Sequence, residues 1–208
     1  MTMSSPYSKT DKTIAYLNKQ YAKLFRKVTS FDELNVISVS HEIYDEVRSI
    51  VEQEAARLVK SVYDSYRESG AITASDAHDA VVALMGAYNP VTKYIYKNEL
   101  DRKRSRFAEG VISSDAPLEE VELAKRLLAA LNKQFADDAT FDAVVKAYED
   151  DGVEYVRWVT AVDDRRCKEC KSMHHKIYPI NNIPPKPHMH CRCYVEKVDD
   201  KQQEVVEE

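Results

Sequence analysis

DDGVEYVRWVTAVDDRRCKECKSMHHKIYPINNIPPKPHMHCRCYVEKV, residues 150–198, decides how this chain reads, because the helical period of everything before it stops at Asp150-Asp151-Gly152. VEYVRWVTAV, residues 153–162, is dense in valine and aromatic residues, the composition of a strand. Ile177-Tyr178-Pro179-Ile180 and the segment from Cys193 to Val198 follow as short extended pieces, and the second can return as a pairing strand. All four cysteines of the 208-residue chain lie here. Cys167 and Cys170 form a Cys-x-x-Cys pair, and His188 and Cys191 form a His-x-x-Cys pair after a connection of a length usual in zinc-binding modules.

Two ligands three residues apart across a tight turn point inward at one tetrahedral ion, which is why this spacing marks a metal site. Cys193 and His190 are spare candidates two residues beyond Cys191 and His188, and spacing leaves open which member of each pair faces the metal. It also leaves open a disulfide formed in an oxidising compartment, or thiols buried as small hydrophobes. A thioredoxin-like role is disfavoured, since no strand–helix–strand unit follows the Cys-x-x-Cys. A catalytic ion would need an open coordination position and a base; Glu169 is the nominee, while His174 and His175 read as loop surface.

Upstream, apolar positions recur at helical spacing. Ile14, Leu17, Tyr21 and Leu24 predict an amphipathic helix over residues 10–28. A longer helix is expected from about Ser40, as N-cap, through Ile43, Val47, Ile50, Leu58 and Val62 to Gly70. Thr73 or Ser75 caps a third that Asn89-Pro90 punctuates, and a fourth runs from Tyr94 to about Phe107. Pro117 opens a fifth through Val121, Leu128 and Phe135, with a separate short helix expected from Phe141 to Tyr148. The fold class is therefore α+β: a helical body over residues 1–150, a Cys/His-rich β module over 151–198 and an acidic tail over 199–208.

With 44% hydrophobic and 31% charged residues the chain reads as soluble and globular, and a net charge of -5 leaves any nucleic-acid contact to a local patch. No signal-peptide pattern and no run of about 18 apolar residues occurs, so cytosolic synthesis and no membrane contact are expected. Four glycines and the lack of Walker, Rossmann or Gly-x-Ser-x-Gly patterns disfavour the common nucleotide enzymes.

The order of Trp158, Thr160, Asp163 or Asp164, Arg165 or Arg166, Cys167, Cys170, Met173, Ile177, Tyr178, Pro184, Pro187, His188, Cys191, Arg192 and Cys193 resembles the phage head morphogenesis family, the Mu F-like minor head proteins. The resemblance covers roughly residues 154–195. It departs from the family where His175 stands at a position often glycine, and where His-Met-His-Cys-Arg-Cys replaces His-Pro-Asn-Cys-Arg-Cys. The resemblance implies a minor capsid protein in the virion, at the portal or inner head, acting in procapsid assembly or in DNA packaging and ejection. Its partners would be portal and/or major capsid protein and phage DNA, and the resemblance implies no known enzymatic activity; the acidic tail suggests no appended toxin domain.

A structural zinc held by Cys167, Cys170, His188 and Cys191 is the expected cofactor, because a small strand pair is marginal without a staple. The alternatives are a zinc-dependent nuclease or hydrolase and a zinc-stabilised nucleic-acid-binding protein. For the last, Arg102, Lys103, Arg104 and Arg106, with Lys97, Tyr94 and Tyr96 upstream, are the candidate DNA contacts. Glu99 and Asp101 offset part of that charge, and an i,i+4 pair of Glu99 with Lys103 would make it a solvated helix face. Arg192, flanked by two cysteines, is expected to pair with Asp163 or Asp164. The wide apolar stripe of the second helix makes a homo-oligomer an open question.

Overall fold

The computed structural model describes residues 7–68, 70–71, 73–87, 94–188 and 191–198. Its helices are α1 (Tyr7–Leu24), α2 (Glu33–Tyr66), α3 (Ala74–Ala87), α4 (Tyr94–Ser113), α5 (Pro117–Asp150) and the short α6 (Lys168–Met173). Three strands, β1 (Tyr155–Val159), β2 (Ile177–Pro179) and β3 (Tyr194–Lys197), complete the α+β architecture expected from the sequence. No helix among the described residues is long and apolar enough to cross a membrane.

Several boundaries differ from the sequence expectation, each for a local reason. Helix α2 begins seven residues before Ser40. Its cap is Asp32, whose Oδ1 accepts the Asn35 N–H at 2.9 Å and whose carbonyl accepts Val36 N–H at 2.9 Å. Ser40 is instead fully buried inside the helix, where its hydroxyl donates back to the Ile37 carbonyl at 2.7 Å. Residues 136–140 carry neither glycine nor proline, so the two helices expected over residues 117–148 are one helix of 34 residues, about 50 Å long. The Thr73 cap is present: its Oγ1 accepts the Asp76 N–H at 3.1 Å and donates to Asp76 Oδ2 at 2.7 Å. Asn89-Pro90 and the acidic tail lie outside the described residues.

The chain falls into two compact units. One joins Asp11–Arg57 to Met85–Ala136. Its core holds Tyr21, Ile43, Val47, Val51, Leu100 and Leu128, with Phe25 packed edge-on against Tyr44 and Phe107 at ring separations of 6.4 and 5.3 Å. The other gathers the chain up to Thr10, Leu58–Leu84 and everything from Asp137 onward, so α2 and α5 supply residues to both.

This second unit contains the sheet, in the order β2-β1-β3 with both pairings antiparallel. Alternation along β1 sends Val156 and Trp158 inward, and Trp158 lies opposite Val195 of β3. The indole packs against Phe141 of α5 at 5.7 Å and Tyr178 of β2 at 6.3 Å. Two further links fix the unit: Tyr63 donates to Asp150 Oδ2 at 2.6 Å, and the buried hydroxyls of Thr10 and Thr140 share a 2.7 Å hydrogen bond. Placing the cap at Asp32 makes a simple contrast. Ser40→Ala should change unfolding free energy by less than about 0.5 kcal/mol, since the helix keeps its backbone bonds there. Asp32→Ala should lower unfolding free energy by about 1 kcal/mol, as scanning calorimetry would show through a lower thermal midpoint.

Candidate metal centre

The site is built by the loops that flank the sheet. After β1, Asp163 makes a turn by accepting Arg165 N–H on Oδ1 at 3.1 Å while its carbonyl accepts Arg166 N–H at 3.1 Å. The chain then enters α6 with Cys167 as cap: its sulfur accepts the Cys170 N–H at 3.2 Å. That bond turns Cys170 inward, where it is buried. The segment leading into β3 carries Cys191 and Cys193, also buried, and the proline-rich strap before it delivers His188, which is exposed.

Two triads result, and Cys170 belongs to both. The ligand atoms of Cys167, Cys170 and His188 lie within 4.8 Å of one another, and so do those of Cys170, Cys191 and Cys193. Cys170 Sγ stands 3.2 Å from His188 Nε2 and 3.6 Å from Cys191 Sγ. All four thiols are free. A tetrahedral ion with metal–sulfur bonds of about 2.3 Å would separate two sulfurs by about 3.75 Å, so the Cys170–Cys191 spacing fits one shared ion and is far too long for a disulfide. Of the four sequence-predicted ligands, Cys167, Cys170 and His188 share one triad, and Cys191 meets Cys170 in the other. Cys193 stands with Cys170 and Cys191 rather than as a distant spare, and His190 lies outside the described residues.

The electrostatics suit an anion-rich pocket that wants a cation. Burial pushes the Cys170 thiol up to about 12, the expected penalty for a thiolate with no positive partner. Cys191 moves down, chiefly through a hydrogen bond from Cys193, whose own thiol moves up as the donor of that bond. A bound dication would stabilise the thiolate form that burial disfavours here.

Neighbouring polar groups are already committed. His174 Nδ1 accepts the Thr160 N–H at 3.2 Å, which excludes that nitrogen from ligation. Glu169 is exposed, and its carboxyl is held below the ordinary range by its own backbone N–H and by Cys167, which makes it a weak base. His175 has φ 66°, a left-handed turn conformation that glycine adopts without strain.

Arg192 meets the sequence expectation and selects Asp163. Its Nη1 and Nη2 donate to Oδ2 and Oδ1 at 2.6 and 2.7 Å, a bidentate fork joining the first ligand loop to the second. The sequence gives no hint of two other supports. Tyr7, at the far end of the chain, donates its hydroxyl to the Cys193 carbonyl at 2.6 Å. Lys186 reaches from the strap to the Asp137 carbonyl at 2.9 Å.

The candidate DNA contacts on α4 differ in their surroundings. Arg102 pairs with Glu99 at 2.8 Å, an i,i+3 bridge in place of the expected Glu99–Lys103 pair. Arg104 Nη1 lies 2.9 Å from His41 Nε2, Lys103 is half-buried, and Arg106 is exposed. The side chains of Tyr94, Tyr96 and Lys97 lie outside the described residues.

Compared with protein-family models, with curated proteins and with solved structures, the chain matches none.

Two outcomes are expected from the fork and the turn. The Arg192 guanidinium holds the Asp163 carboxyl down at about 2, so the stability it contributes is full above the ordinary carboxylate pKa and is lost as pH falls from about 4 through 2. Arg192→Ala should return the Asp163 titration, followed by carboxyl-carbon NMR, to the ordinary range, and Arg192→Lys should do so in part because it lacks the fork. His175→Gly should raise stability by up to about 1 kcal/mol in thermal unfolding, by relieving the positive φ.

Proposed function

We propose that this chain is a minor capsid protein of head-morphogenesis type, acting at the portal or inner face of a phage head in procapsid assembly, DNA packaging or ejection. Its C-terminal module is stapled by one zinc ion, and it has no catalytic role. The observation that supports this reading is convergence: Trp158, Asp163, Cys167, Cys170, Tyr178, His188, Cys191, Arg192 and Cys193 carry the resemblance, and they are also the residues that form the donor cluster and its immediate braces. Soft thiolates with one imidazole favour zinc over magnesium or calcium.

A structural ion is favoured over a catalytic one by donor count. Four protein donors surround Cys170 in two triads that share it, so a member of the second triad can supply the fourth ligand a tetrahedral zinc takes once the first is engaged. A hydrolase would need that water and a base, and Glu169 is poorly suited to serve. For nucleic acid, the engagement of Arg102 by Glu99 and of Arg104 by His41 favours a solvated helix face over a phosphate-binding one.

The reading is tested by co-expressing the chain with the portal and major capsid proteins of its phage and sedimenting the heads. The chain should appear in heads at few copies, and heads devoid of it would defeat the proposal. Protein purified under reducing conditions should carry about one zinc, and Cys170→Ser should lose it together with the protease resistance of residues 151–198. Neutralising Arg102 and Arg104 together should leave affinity for duplex DNA unchanged at low salt; a salt-dependent loss would instead make α4 a phosphate-binding surface.

A further inference from the structure

The strap that delivers His188 has no regular secondary structure between the 3-10 turn Ile180–Asn182 and the cluster, and it carries prolines at 184, 185 and 187. Proline removes backbone donors, so such a segment must be held by side chains or by a ligand. One side chain does this. Lys186, two residues before His188, turns its ammonium into a box formed by the start of α1 and the middle of α5. Its side chain is 9% exposed. Nζ donates to the Asp137 carbonyl at 2.9 Å, stands 3.7 Å from Asp138 Oδ1, and lies 5.3 Å and 5.1 Å from the ring centres of Tyr7 and Phe141. Two aromatic faces, a carbonyl and a carboxylate compensate a cation that burial would otherwise expel.

The box also touches the other half of the site. Tyr7, whose ring faces Lys186, gives its hydroxyl to the Cys193 carbonyl at 2.6 Å. Phe141, the second wall, packs on Trp158 of the central strand. A single buried cation therefore ties the His188 strap to the elements that hold Cys191 and Cys193. A salt bridge at the surface would leave the strap free to swing, whereas a buried ammonium has one place to go.

We propose that Lys186 is a positioning residue of the metal centre: the Tyr7–Lys186–Phe141 box holds the strap in the conformation that presents His188 to Cys170, so ion affinity depends on a side chain that is not a ligand. The inference rests on the metal reading above and adds a coupling to it. Coupling is reciprocal: if the box favours ion binding, the bound ion keeps Lys186 in its box. Supports of this kind commonly change metal affinity about 10- to 100-fold when removed.

The test measures zinc affinity of the full chain by competition with a chromophoric chelator, for the wild type, Lys186→Met, Lys186→Arg and Tyr7→Phe, with cobalt spectra of each. Lys186→Met should bind at least about tenfold more weakly with the same one-ion stoichiometry and the same cobalt spectrum, since the ligands are unchanged. Lys186→Arg, which keeps a cation over both rings, should recover part of the loss, and Tyr7→Phe should weaken binding by freeing the Cys193 carbonyl. In the wild type, acylation of the Lys186 amine, followed by mass spectrometry, should be slow with zinc bound and at least tenfold faster after chelation. Wild-type zinc affinity in Lys186→Met overturns the proposal, as does equal labelling with and without zinc. If Lys186→Met does not fold, the wild-type labelling contrast alone decides it. A wild-type chain that takes up no zinc or cobalt defeats the metal reading itself, a result separate from a metal-binding chain indifferent to Lys186.

Discussion

Around Cys170 Sγ the chain crowds soft donor atoms from three segments. His188 Nε2 and Cys191 Sγ approach it to 3.2 and 3.6 Å, and Cys167 and Cys193 complete two overlapping triads. Packed thiols in a small sheet module would gain little from such proximity, because sulfur buries as well against carbon as against sulfur. The spacing suits sulfurs that share an ion, and the loops of residues 151–198 bring these donor atoms within 4.8 Å of one another in two triads. A three-stranded sheet with strands of five, three and four residues has too little apolar surface to be stable alone. It leans on α5 through Phe141 and Trp158, and on the donor cluster at its open end.

The braces of that cluster each constrain a different segment. The Cys167 sulfur caps α6 and orients Cys170, the Asp163–Arg192 fork joins the loop after β1 to the strand entering β3, and Tyr7 fixes the Cys193 carbonyl. Lys186 secures the strap. Ligands on three separate segments are thus held by contacts with groups that are not ligands, which lowers the entropy that binding an ion must overcome.

What the sequence made legible followed from short-range physics. The helix-to-strand change at Gly152, the approach of Cys167 and His188 to Cys170, and the pairing of Arg192 with Asp163 all rest on spacing or local chemistry, and each is present in the structure. Ser40 misled because serine is a good cap in general; its burial beside Ile43 and Val47 shows the helix continuing through it. The break expected between Phe135 and Phe141 is absent because no helix-breaking residue occurs there. Tyr7 and Lys186 were illegible for a different reason: their partners lie 186 and 49 residues away, and no pattern encodes a contact at that range. The place of Cys193 was open because alternation along an extended segment fixes relative facing and not which face meets the ion.

A minor head protein with this architecture would use its metal as a fastener, keeping a small module intact where helices engage larger partners. Everything in that account depends on a closed, protein-only ligand shell. Native mass spectrometry of the reduced protein, purified without chelator, tests it most directly, together with zinc-edge X-ray absorption on the same sample. The account predicts one zinc per chain with four protein donors, at least two of them sulfur, and no water in the first shell. A chain carrying no metal, or a zinc with an oxygen ligand in its first shell, would contradict it.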